Sequence, residues 1–188
     1  MILTPADIEQ VRQEAIEAPN IPELSEATVD NTSIYYRFIY LLVHKFKLAD
    51  CVELGAAVGR CTVHMAAANP AGRVWAIDLR PHGLYEYTTR NYSNIRLIRM
   101  GSTDPDTLAQ VPDGTIALCF ADSWHNPDHV LEEVQMWSRK MRDGGVFLFD
   151  DLLYKDMHRI LSEIPFSQKG ELPGLHYSGF GYAIKEAT

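Results

Sequence analysis

The chain has 188 residues, 46% of them hydrophobic and 22% charged, which is ordinary usage for one globular domain and excludes a disordered, collagen-like or low-complexity chain. Lys+Arg number 17 and Asp+Glu 25, a net charge of −8; no dense Lys/Arg run interrupts this, so neither a nucleic-acid partner nor a membrane surface is expected. Cys51, Cys61 and Cys119 are odd in number and contain no CxxC pair, which points to reduced cysteines in a cytoplasmic protein rather than to a zinc knuckle or redox motif. The start, MILTPADIEQ, has no signal-peptide character, and the apolar stretch around Ile39–Val43 is too short to span a bilayer.

In chain order, Thr4, Pro5 and Asp7 predict a helix start, with Thr4 as N-cap. Ile8, Val11, Ala15 and Ile16 continue it as one apolar stripe. Pro19 and Pro22 end the helix, leaving APNIPELSE as an extended connector. A second helix is predicted from about Thr32 to Lys45, with Ile34, Phe38, Leu41 and Leu42 inward. From Cys51 the pattern changes. CVELG, RVWAID, IRLIRM, IALCFAD and GVFLFDD read as strands, alternating with helical stretches near 59–69, 82–91, 104–110, 127–142 and 152–163. HYSGFGYAIKE reads as a final strand, fed by a strand or loop over 165–173. The alternation implies an α/β fold, Rossmann-like and doubly wound, with a mostly parallel sheet and helices on both faces. Residues 1–48 read as an N-terminal helical extension and 49–188 as the globular unit.

Ligands of such sheets bind beyond the carboxyl ends of the strands, so the strand tips carry the functional reading. Gly55 allows a sharp turn and Gly59 a close approach at the next helix start. Ala57 stands where a dinucleotide fingerprint needs glycine, and Glu53 would repel a pyrophosphate while suiting a cationic ligand. Asp78, 23 residues after Gly55, suits an acid holding ribose hydroxyls, with a helix cap as the simpler role. Gly101-Ser102-Thr103-Asp104 could reach an adenine or form a capping box.

Asp122 ends the fourth predicted strand and Asp150-Asp151 the fifth. Neighbouring tips would bring three carboxylates together, which is unfavourable unless protons or a cation neutralise them. A hard divalent cation, Mg²⁺ foremost, is the natural solution. Capping of the next helix by Asp150 or Asp151 would leave the rest of the set unexplained. His125, three residues past Asp122, is suited to accepting a hydroxyl proton, with a loop or capping role left open. Trp124 could cover the adenine or the acceptor, and Trp137 reads as core.

On these motifs the chain resembles the class I S-adenosylmethionine-dependent methyltransferases over roughly residues 30–188. The shared features are the turn Glu53-Leu54-Gly55-Ala56-Ala57-Val58-Gly59, the second-strand acid Asp78, and Asp143-Gly144-Gly145-Val146-Phe147 leading into the fifth strand. The resemblance implies a seven-stranded sheet with a reversed final hairpin. It also implies S-adenosyl-L-methionine held by Glu53, Gly55, Ala56, Ala57, Gly59, Asp78, Leu79, Ser102 and Asp122. Asp-x-x-His followed by paired acids after Gly-Gly is similar to the metal-dependent sugar O-methyltransferases of macrolide biosynthesis and the related cephalosporin-hydroxylase group. That implies Asp122, Asp150 and Asp151 as metal ligands and His125, with Asp122, as the catalytic pair. The group more often has Glu at position 150. The more distant catechol-type enzymes have Asp-Asn at this tip, so Asp151 favours the sugar-type comparison. The implied activity is O-methylation of a small hydroxylated acceptor, a sugar or catechol-like diol. A non-catalytic S-adenosylmethionine-binding partner subunit is the alternative; a nicotinamide-dependent oxidoreductase is disfavoured by Ala57 and Glu53. The amphipathic N-terminal helices leave a homo-oligomer open.

Overall fold

The computed structural model describes residues 2–18 and 33–186. Helix α1 (Pro5–Glu17) starts with a reciprocal cap. The Asp7 N–H donates to Thr4 Oγ1 at 3.3 Å, and the Asp7 carboxylate accepts from the Thr4 N–H at 2.9 Å. The Thr4 hydroxyl, which donates to the same carboxylate at 2.6 Å, and then the Thr4 N–H hold the Asp7 carboxyl below the usual carboxylate range. Thr4→Ala is expected to cost about 1 kcal/mol, read as a melting temperature lowered by about 3 °C; an unchanged melt would show that the cap adds nothing. Pro19, Pro22, the body of the connector and the predicted start at Thr32 lie outside the described residues. Helix α2 (Ile34–Phe46) ends where Lys47 turns left-handed at φ 50°.

Seven strands follow: β1 (Asp50–Leu54), β2 (Arg73–Ile77), β3 (Ile95–Ile98), β4 (Ile116–Ala121), β5 (Met141–Asp150), β6 (Lys169–Glu171) and β7 (Phe180–Ile184). Between them lie α3 (Arg60–Ala68), α4 (Tyr85–Thr89), α5 (Pro105–Ala109), α6 (Pro127–Trp137) and α7 (Arg159–Glu163). The sheet order is β3-β2-β1-β4-β5-β7-β6. The first five strands are parallel, and β7 runs antiparallel to both β5 and β6. This is the expected seven-stranded sheet with its reversed hairpin. The order reverses between β1 and β4, so the ligand crevice should open there.

The period-two alternation of the central strands feeds two cores. Leu118, Phe120 and Leu148 face α1, α2 and α3 through Ile8, Phe38, Leu42 and Met65. Cys119, Phe147 and Phe149 face α5, α6 and α7 through Leu108, Val134, Trp137 and Ile160. Each large side chain so buried stabilises the fold by about 1.5–3 kcal/mol. The three cysteines are free and buried, which pushes their thiols up. No helix among the described residues is long and apolar enough to cross a membrane.

Three helices are much shorter than their sequence pattern. The stretch 82–91 is helical only over Tyr85–Thr89. The stretch 127–142 is helical only to Trp137, because the Arg139 and Lys140 carbonyls accept from Gly114 and Ile116 and turn the chain into β5. The stretch 152–163 is helical only from Arg159. Asp151 leaves β5 at φ 57°, and the Leu152 and Leu153 N–H groups donate to the Gly179 and Ser178 carbonyls. Those bonds commit the backbone to the loop before β7 and withhold it from a helix.

Candidate active site

The strand register levels the tips: Leu54 pairs with Ala121, Ala121 with Phe149, and Asp150 with Phe180. The turn after β1 is anchored to β2. The Gly55 N–H donates to the Ile77 carbonyl at 2.9 Å, and the Ala57 N–H to Asp78 Oδ2 at 2.8 Å. Ala57 itself sits at φ 43°, a conformation that an alanine adopts at a cost of about 1–2 kcal/mol. The fingerprint glycine that the sequence lacks is therefore replaced in conformation, with Asp78 as the clamp. Asp78 Oδ1 also accepts from the Arg80 N–H at 2.7 Å.

A cavity of about 360 Å³ opens over these tips. Its walls are Gly55, Ile77, Asp78, Leu79, Met100, Gly101, Ser102, Thr103, Ser123, Trp124 and His129. Gly55, Asp78, Leu79 and Ser102 thus share one wall. Trp124 is 68% exposed at the rim and Trp137 is fully buried. Glu53, Ala56, Ala57, Gly59 and Asp122 are not in the wall. Glu53 is 2% exposed and accepts from Thr62 Oγ1 of α3. Burial, opposed by that hydrogen bond and reinforced by Asp122 and Asp78, pushes its carboxyl well above the usual range. It braces the turn from beneath, outside the cavity wall.

The cavity floor holds a group that the sequence reading missed. Ser102 Oγ donates to Glu133 Oε1, and His129 Nε2 lies 3.2 Å from the same carboxylate. Glu133 is 1% exposed. Its His-x-x-x-Glu spacing with His129 puts both on one helix face, and that was the available signal. The hydrogen bond to Glu133 raises the His129 pKa, against desolvation. A raised histidine contributes stability that is complete below the unfolded value of about 6.5 and lost as pH rises through the folded one. Glu133→Gln is therefore expected to lower the His129 pKa in an NMR titration and to destabilise most at acid pH. An equal loss at pH 5.5 and 8.5 would contradict the pairing.

The predicted carboxylates lie beside this cavity, rearranged around two histidines. His125 Nε2 is 2.9 Å from Asp151 Oδ2 and 3.5 Å from Asp122 Oδ1. Asp122, His125 and Asp151 form one group of convergent donors; Asp150, Asp151 and His176 form another. Asp150, 3% exposed, groups with His176: its Oδ1 accepts from the Asp151 N–H at 2.8 Å and lies 2.7 Å from His176 Nδ1. His176 comes from the loop before β7 and was not foreseen. Burial, then a hydrogen bond from His125 that opposes it, then the charges of Asp150 and Asp151 leave the Asp122 carboxyl raised to about 6. The Asp122 hydrogen bond raises His125 in turn, as the Asp150 hydrogen bond raises His176. So concentrated an acidic group, with oxygen and imidazole donors on three loops, fits a divalent cation. A second cavity of about 440 Å³ adjoins His176, lined also by Ser33, Ile34, Tyr35, Gly174, Leu175 and Tyr177.

Comparisons with known proteins agree with this fold. A tRNA (guanine-N(7)-)-methyltransferase of Francisella tularensis subsp. novicida is 22% identical, over 75% of this chain and 70% of that protein. Cofactor-bound Rv0187 from MTB superposes with a TM-score of 0.68 at 20% identity, covering 97% of this chain and 89% of that one. A candidate caffeoyl-CoA O-methyltransferase from Staphylococcus aureus superposes with a TM-score of 0.66 at 17% identity, covering 95% and 91%. These likenesses show a shared fold. Residues 52–152, more than half of the chain, match the profile of the family described as methyltransferase domain. The chain belongs to that family and has a class I S-adenosylmethionine-dependent methyltransferase fold.

Proposed function

We propose that the protein transfers a methyl group from S-adenosylmethionine to a hydroxyl oxygen of a small acceptor, a sugar or catechol-like diol, with the help of a divalent cation. The observation that carries this reading is the meeting of Asp122, His125 and Asp151 at the β4 and β5 tips, between the two cavities. The net charge of −8 favours a small acceptor over the polyanion named for the 22%-identical tRNA enzymes.

S-adenosylmethionine, when bound, supplies a methyl already activated on a sulfonium. A cation held by Asp122, Asp150 and Asp151 would supply positive charge that lowers an acceptor hydroxyl's pKa. The chain's residues do the rest. Asp78 holds ribose hydroxyls, Ser102 and Trp124 bound the adenine end, and Tyr35 with Tyr177 walls the acceptor cavity. His125, its Nε2 side held by Asp151 and Asp122, takes the hydroxyl proton. The acceptor oxygen then forms its bond to the methyl carbon as the carbon–sulfur bond breaks, its electron pair remaining on the sulfur of S-adenosylhomocysteine. Holding oxygen and methyl in line is the larger part of such catalysis.

The test is release of S-adenosylhomocysteine with a panel of vicinal diols, with and without a chelator. Turnover that chelation abolishes and added cation restores is expected. Turnover indifferent to chelation removes the cation from the mechanism. Cofactor binding without turnover on any diol favours the non-catalytic alternative.

A further inference from the structure

We infer that Glu133, acting through Ser102, makes the cavity of about 360 Å³ selective for a purine that carries an exocyclic amine, so that an adenosyl ligand is bound and its 6-oxo counterpart is refused; this rests on the reading of that cavity as the cofactor's seat. A serine hydroxyl has one proton to donate and lone pairs with which to accept. Ser102 commits its proton to Glu133 Oε1. A carboxylate only accepts, so His129 Nε2, 3.2 Å from the same oxygen, faces it with its N–H. Both protons are thus spent on Glu133. What Ser102 has left for the cavity it lines is lone pairs.

The carboxylate is also under-used by the protein itself. Glu133 is 1% exposed, and its second oxygen, Oε2, is buried without a hydrogen-bond partner among the described residues. The pair therefore holds an acceptor in excess and lacks a donor, which a ligand amine supplies. The segment that carries Ser102 is fixed from behind. Trp137 Nε1 donates to the Ser102 carbonyl at 2.9 Å, and the Thr107 hydroxyl to the Gly101 carbonyl at 2.8 Å. A Cβ at Gly101 would meet nothing within 4 Å, so a base has room over this segment. Ile77, Met100 and Trp124 give it apolar walls. Adenine brings an amine to its 6-position and hypoxanthine a carbonyl oxygen. Against lone pairs the amine forms a bond, whereas the carbonyl sets acceptor against acceptor and leaves both unpaired.

The test is calorimetry of the full chain with S-adenosylhomocysteine and with S-inosylhomocysteine, read as the ratio of their affinities. Wild-type protein is expected to favour the adenosyl compound by at least about tenfold. Glu133→Met, of similar size and without an acceptor, releases the Ser102 proton to the cavity and should bring the ratio to within about threefold. Glu133→Gln, whose carbonyl oxygen still receives both protons, should keep the wild-type preference. A merely structural role for Glu133 would weaken both compounds alike, and an unchanged ratio in Glu133→Met overturns the inference. Equal wild-type affinity for the two compounds overturns it while leaving the cavity as the cofactor's seat. Should Glu133→Met fail to fold, Ser102→Ala decides, since it removes the hydroxyl and keeps the Glu133–His129 pair: a ratio near one supports the inference and an unchanged ratio overturns it. Absence of binding of either compound to folded wild-type protein removes the cofactor reading and this inference with it.

Discussion

Replacing Asp122 by alanine is expected to lower cation-dependent methyl transfer by roughly three orders of magnitude, while S-adenosylhomocysteine affinity stays within a few-fold of wild type. The separation follows from position. Asp122 leaves β4 with its N–H on the Leu54 carbonyl at 2.9 Å, a bond that alanine keeps. Its carboxylate joins His125 and Asp151 and is absent from the wall of the 360 Å³ cavity. The variant therefore loses a cation donor and the partner of the base without losing the cofactor walls. Burial holds the Asp122 carboxyl near 6, so its removal should also relieve crowding of charge in the cation-free protein. Initial rates and calorimetry on the same preparation read both quantities. Undiminished turnover would contradict the assignment of Asp122 to the chemistry.

Gly55→Ala is expected to fail differently, in folding and binding together. Gly55 has φ +93°, and an added Cβ would lie 2.1 Å from the Asp122 carbonyl oxygen and 2.7 Å from Ser123 Cα. Both obstacles are backbone, at the point where β1 and β4 part. A left-handed alanine costs about 1–2 kcal/mol and overpacking about 1–3 kcal/mol. The expected loss is about 3 kcal/mol, or about 10 °C in melting temperature at this chain length. Since Gly55 and Ser123 both line the cavity, S-adenosylhomocysteine binding should weaken more than tenfold even below the melt. A stable variant with wild-type affinity would show that the turn is not the cofactor's seat.

Much of this was legible in the sequence, for identifiable reasons. The five parallel strands are short apolar runs closed by acids or glycines, and such runs admit few other structures. Asp78 and Gly55 could be paired from their spacing alone. The limits of α6 and α7 were not legible, because they depend on where backbone groups at Arg139, Lys140, Leu152 and Leu153 find partners in distant loops. Glu53 looked like a ligand charge, yet a neighbour nine residues on, Thr62, draws it under the turn. His176 lies 25 residues beyond Asp151 in a Ser/Gly loop with no motif. Its place is fixed by the antiparallel pairing of Asp150 with Phe180, which sets the loop before β7 against the tip of β5. A histidine four residues ahead of that paired position was the available signal.

A calorimetric titration of the wild-type protein with S-adenosylhomocysteine, with and without a divalent cation, asks whether the β1–β2–β3–β4 tips seat S-adenosylmethionine beside a cation-binding acidic cluster. Micromolar binding is expected in both conditions, since Asp78, Ser102 and Trp124 belong to the cavity and not to the cation group. Absence of binding in both would contradict it and leave the glycine turn as a feature of the fold without this ligand.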